Sequence, residues 1–85
     1  MAVIYSTVEH QRKLVQDLVE ILQEAESLAD IREALDAYMP HIRGMRAHIW
    51  IDRVGYNGYP GYVKVHILSQ HSHPNTARTK IRIAS

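Results

Sequence analysis

Apolar and polar positions alternate one by one in two stretches near the middle of the chain. In residues 46–54, Ala47, Ile49 and Ile51 alternate with Arg46, His48, Trp50 and Asp52. In residues 62–68, Val63, Val65 and Ile67 alternate with Tyr62, Lys64 and His66. Successive side chains of a strand point to opposite faces, so each stretch predicts a strand with one buried and one open face. The turn-rich segment 55–61 joins them as a hairpin. Residues 79–84 alternate again, with Ile81 and Ile83 inward and Lys80 and Arg82 outward, and predict a third strand. Residues 69–78 between them are polar and contain Pro74-Asn75, which reads as a loop.

The first half of the chain has a different period. In residues 7–26, Leu14, Val15, Leu18, Ile21, Leu22 and Ala25 fall on one stripe. Gln11, Arg12, Gln16, Asp17, Glu20, Gln23 and Glu24 fall mostly opposite, which predicts an amphipathic helix. Ser6 with Glu9 three residues on has the spacing of a capping box for its start. Leu28, Ile31, Ala34, Leu35 and Tyr38 form a second stripe, rotated from the first by about a third of a turn at ~100° per residue. One straight helix cannot bury both stripes. Ser27 and Asp30 are both good N-caps, with Glu33 following Asp30, so a sharp turn is expected within residues 27–30. The second helix should end at Met39, because Pro40 disfavours helical geometry in the residue before it. Residues 2–5 read as a short strand or extended arm.

These elements predict one α+β domain over residues 1–85: an arm (1–6), a helical half (7–39) and a β half (45–84). Two helices would cover one face of a three-stranded antiparallel sheet, or a four-stranded one if residues 2–5 join it. The hairpin register is constrained by face parity. A two-residue Asn57-Gly58 turn pairs positions whose numbers sum to 115, setting Ile51 beside Lys64 and Trp50 beside Val65. That mixes apolar and polar side chains on each face, and Pro60 also argues against a ladder tight to the turn. A sum of 116 pairs Asp52 with Lys64 and Trp50 with His66; a sum of 114 pairs His48 with His66 and Trp50 with Lys64. The opposite charges of Asp52 and Lys64 favour 116.

Charge sharpens the division. The formal net charge of the 85 residues is only +1. Residues 1–40 hold three basic side chains against eight acidic, a net −5, and residues 41–85 hold seven against Asp52 alone, a net +6. A basic β half raises the prospect of a polyanionic partner, whereas acidic helices and basic strands can also simply neutralise each other. The chain has no cysteine, so neither disulfides nor thiolate metal sites are available. No apolar run approaches the ~20 residues of a membrane span. The first residues do not read as a signal peptide, and a cytoplasmic location without membrane contact is the expectation.

The outward face of the predicted sheet collects Arg46, His48, Trp50, Asp52, Tyr62, Lys64, His66, Leu68, Lys80 and Arg82, with Arg78 just before the third strand. Basic groups interleaved with rings on a sheet hold single-stranded nucleic acid by phosphate neutralisation and base stacking. The first expectation is therefore a non-enzymatic nucleic-acid-binding protein, using Arg46, His48, Trp50, Tyr62, Lys64, His66, Arg78, Lys80 and Arg82. The alternative is a small regulator or inhibitor, of host or phage type, that binds another protein or forms a homodimer through the same face, since aromatics and Arg also dominate protein interfaces. A third reading is a small basic ribonuclease, with His71 and His73 as acid and base and Lys80 or Arg78 as the cation. His71-Ser-His73 also has chelating spacing, but cysteine and supporting carboxylates are missing, so neither a metal nor any other cofactor is expected.

Overall fold

The computed structural model describes residues 7–51 and 61–83. Its elements are helix α1 (Val8–Gln23), helix α2 (Leu28–Tyr38), a 3-10 turn (Met39–His41) and strands β1 (Arg46–Ile51), β2 (Gly61–Ser69) and β3 (Ser72–Ile83). The strands form one antiparallel sheet in the order β1-β2-β3, with β2 central. Two helices packed against three antiparallel strands make this an α+β fold.

Helix α1 starts at Thr7, whose side chain accepts the His10 amide at 3.1 Å. The expected cap, Ser6, lies outside the described residues, as do residues 2–5. Its buried stripe is Gln11, Val15, Leu18 and Leu22, continued by Ala25. Ile21, expected inside, is 43% exposed, and Gln11, expected outside, is 1% exposed. The break between the helices falls at residues 24–27, and Ser27 is the N-cap of α2: its Oγ accepts from Asp30 N–H at 3.2 Å. Asp30, the other candidate cap, sits at the third helical position and its Oδ2 accepts from Glu26 N–H. In α2, Ile31, Ala34 and Leu35 are buried, while Leu28 at the first turn is exposed. Pro40 ends the α-helix as expected and opens a single 3-10 turn.

The core is Val15, Leu18, Leu22, Ala25, Ile31, Ala34, Leu35 and Ile42 against Val63, Val65, Ile67 and Ala77. The inward positions of β2 are those of the alternation. Two sheet expectations change. The β1–β2 register is Arg46↔Leu68, His48↔His66 and Trp50↔Lys64, a sum of 114 and not the favoured 116. Both even sums keep Ala47, Ile49 and Ile51 on the face of Val63, Val65 and Ile67, so alternation excludes 115 but does not choose between 114 and 116. Asp52 and residues 53–60 of the hairpin loop lie outside the described residues.

The second change concerns residues 69–78, which are not a loop. Strand β3 begins at Ser72, after the two-residue turn Gln70-His71. Pro74 is tolerated because β3 is an edge strand and need not donate to a further neighbour. Ala77, fully buried, is the inward residue that pairs with Val65. Further on, residues 79–81 of β3 bulge against the single Val63 of β2. Thr79 repairs the broken ladder, its hydroxyl donating to Val63 C=O at 3.0 Å and accepting from Ile81 N–H at 3.1 Å.

Candidate binding face of the sheet

The inner side of β2 and β3 is packed under α1, and the outer side of the sheet is free of helices. Strand pairing places its side chains in cross-strand rows. One row is His48, His66 and Thr76; the next is Trp50, Lys64 and Arg78. Tyr62 pairs with Arg82 at one end, and Leu68 pairs with Arg46 at the other. Of the nine candidate residues, eight therefore share one face: Arg46, His48, Trp50, Tyr62, Lys64, His66, Arg78 and Arg82.

The rings and cations also touch. Trp50 lies against His66 with ring centroids 4.9 Å apart and planes tilted by 49°. The Arg78 guanidinium stands 5.9 Å from the centre of the Tyr62 ring, within cation–π range. His66 Nδ1 shares a 2.9 Å hydrogen bond with Thr76 Oγ1, while its buried Nε2 has no hydrogen-bond partner among the described residues. His66 is thus pinned between Thr76 and Trp50, and Trp50 projects above it, 58% exposed. Described residues 46–51 and 61–83 contain no Asp or Glu, so the strands bring no carboxylate to the face.

Lys80 is the exception. At the crest of the bulge it leaves the outer face and reaches the C-terminal end of α1, where Nζ contacts Glu24 Oε2 at 2.6 Å. The hydrogen bond and charge of Glu24 raise the Lys80 pKa above its ordinary value, with a smaller contribution from Glu26. Strict alternation could not show this, because a bulge redirects a side chain without changing the sequence pattern.

Comparison with known proteins finds no matching family model, curated protein or solved structure. The reading of the site therefore rests on its chemistry.

The histidines proposed for ribonuclease chemistry do not meet their cations. His71 occupies the β2–β3 turn, where its carbonyl accepts from Arg12 Nε at 3.2 Å. His73 is the exposed second residue of β3. Lys80 lies seven positions further along the same strand, on the order of 20 Å at ~3.3 Å per residue, and Arg78 five positions, about 16 Å. A cation that stabilises charge on a phosphate must lie beside the acid and base that act on it. Among the described residues no three His, Asp or Glu side chains converge as metal ligands. No described helix is long and apolar enough to cross a membrane.

Sequence reasoning missed Thr76, which fixes the His66 ring, because residues 69–78 read as a loop. The available signal was Asn75 and Ala77, small residues at the parity of Thr79 and Ile81. The helical layer also carries an open groove lined by Ile21, Ala25, Ala34 and Tyr38 and edged by Glu24, Asp30 and Glu33. It contains none of the candidate residues, and its acidic edge gives the helices an electrostatic character opposite to that of the sheet.

Proposed function

We propose that the protein binds single-stranded nucleic acid on the outer face of its sheet. The observation that carries this reading is the gathering of rings and cations on one helix-free surface: exposed Trp50 against half-buried His66, half-buried Tyr62 under Arg78, and Arg46, Lys64 and Arg82 around them. Bases stack on such rings whatever their sequence, and phosphates are neutralised by the surrounding side chains. Stacking and phosphate contacts do not read base edges, so binding through them is weakly sequence-specific.

The test is an anisotropy titration with single- and double-stranded oligonucleotides over a range of salt. Single strands should bind more tightly, and log affinity should fall against log salt with a slope no steeper than about −3, the value for four phosphate contacts at ~0.7 each. Trp50→Ala should weaken binding by about 10-fold or more, since one base–aromatic stack is worth ~1–3 kcal/mol. Charge reversal at Arg78 and Arg82 should weaken all sequences alike, whereas Lys80→Ala should change little, because Lys80 points to Glu24. Affinity indifferent to salt removes the proposal. A second reading, a protein partner on the same face, is favoured by the exposure of Trp50 and of Leu68, 46% exposed. It is distinguished by salt-insensitive binding of a protein that is still lost in Trp50→Ala.

A further inference from the structure

The helices leave part of the sheet's inner side uncovered. On β1, Ile49 and Ile51 have the same parity as the buried Val65 and Val63 with which they pair, yet they are 43% and 47% exposed. Between them, on the opposite face, Trp50 is 58% exposed. Three consecutive large apolar residues thus meet solvent on both faces of one strand. That strand is also an edge, and among the described residues no strand pairs with its far side.

The other edge of the sheet is managed differently. Strand β3 carries Pro74 and the bulge at residues 79–81, and it is tied to α1 through Lys80–Glu24 and through Arg12 to His71 in the adjoining turn. Proline, bulges and covering elements are the devices that stop an edge from recruiting another strand. Among the described residues strand β1 has none of them: residues 46–51 are Arg-Ala-His-Ile-Trp-Ile, regular in register throughout.

We propose that β1 pairs antiparallel with β1 of a second copy, about a two-fold axis through Ile49, to form a continuous six-stranded sheet. The strand's own chemistry selects this occupant. Pairing Ile49 with itself sets Ala47 opposite Ile51 on the helix side and His48 opposite Trp50 on the outer side. Every pair keeps face parity, so the helices of both copies stay on one side. The inner seam is wholly apolar. Each outer pair sets an imidazole beside an indole, a combination that His66 and Trp50 already form diagonally within one chain. The only formal charge on β1 is Arg46. In this register the two Arg46 residues lie at opposite ends of the seam, about 20 Å apart along the strand axis and beyond the ~8 Å screening length of physiological salt. An isologous joint of this kind closes on itself and does not propagate as an open filament.

The joint is small. A six-residue strand edge with Ile49, Trp50 and Ile51 falls at the lower end of specific interfaces, below about 1,200 Å² in total, the class of weak and transient contacts. The inference is independent of what the outer face binds, and its test contains no nucleic acid. Sedimentation of the intact chain should show a monomer–dimer equilibrium. Ile49→Lys should give a monomer with an unchanged circular dichroism spectrum, because that side chain is outside the core. The chain has no cysteine, so single cysteines report the register cleanly. Ile49→Cys should cross-link under mild oxidation, since directly opposed Cβ atoms lie ~4.5–5.5 Å apart. Ile51→Cys should not, because position 51 would be about 14 Å from its own copy. A monomer at about 100 μM, a dimer that survives Ile49→Lys, or equal cross-linking at positions 49 and 51 overturns the proposal. Dissociation of the dimer by an unrelated β-strand peptide that binds in its place would identify a general strand acceptor and overturn it likewise.

Discussion

Gln11 is a polar residue used as a clip. Its Nε2 donates to His41 C=O at 2.9 Å and its Oε1 accepts from Arg43 N–H at 2.8 Å, joining the start of α1 to the connection that leads into β1. Both backbone groups would otherwise be left unpaired where α1 covers them. Gln11→Met keeps the volume and removes both bonds, so stability should fall by about 2 kcal/mol or more, a sizeable share of a small domain's total. In Gln11→Glu the second carboxylate oxygen would face the His41 carbonyl. Burial and that repulsion raise the new carboxyl's pKa, so the variant should be least stable at neutral pH and recover as pH falls and the group protonates. Urea denaturation of the two variants across pH checks both statements. Gly44, in the turn from Ile42 to Met45, has φ +65°, and an added Cβ would lie 3.1 Å from Gln70 Cβ. Gly44→Ala should cost about 1–2 kcal/mol from the left-handed backbone alone. The loss should be larger still because Gln70 is held in place by the hydrogen bond that its backbone N–H donates to Arg43 C=O, 2.9 Å long.

At the scale of elements, the two helices depend on their caps because neither is long. An isolated helix of 11 residues, the length of α2, is marginal in water, so its start needs both packing and capping. Ser27→Ala should therefore destabilise the fold by about 1 kcal/mol, read as a lower thermal midpoint, with Asp30→Ala less costly because its bond to Glu26 N–H lies outside the helix. The strands depend on register more than on propensity. Strand β2 alternates cleanly, buried at Val63, Val65, Ile67 and Ser69, because it is central and covered on one side only. Strand β3 looks irregular in sequence because its inward positions are Asn75, Ala77 and Thr79, small or polar residues that pack close under α1.

For the whole molecule, shape and charge act together. The Cα radius of gyration is 14.3 Å, above the ~12 Å of a compact domain of this length, and the extents are 55 × 23 × 16 Å. An elongated domain buries less per residue, which is why β1 stays open on both sides. The acidic helices and basic strands meet at Lys80–Glu24, an exposed pair, so it adds little at physiological salt. Because Lys80's pKa is raised in the fold, the pair contributes below the ordinary lysine pKa of 10.5 and its contribution is lost as pH rises through the elevated value. The stability difference between Lys80→Met and the parent should be small at neutral pH, shrink further in high salt, and vanish in strongly alkaline buffer. A difference that persists there would mean that packing of the lysine stem, and not its charge, holds the bulge against α1.

The sequence by itself determined the helix stripes apart from Gln11, Ile21 and Leu28, the inward parity of β2, the charge division between the halves and the membership of eight residues in one outer face. All of these follow from local periodicity, which survives in any tertiary arrangement. Tertiary structure alone decided the rest. It set the register at His48↔His66, which alternation leaves open because either even sum keeps face parity, and it made residues 72–78 a strand, since Pro74 is forbidden only where a neighbour needs its N–H. It also turned Gln11 inward to two distant backbone groups and swung Lys80 across a bulge to Glu24. Above all it decided that Ile49 and Ile51, inward by pattern, would lie beyond the reach of the helices. Alternation states which side of a strand a residue faces; only the packing of distant elements determines whether anything is there to meet it.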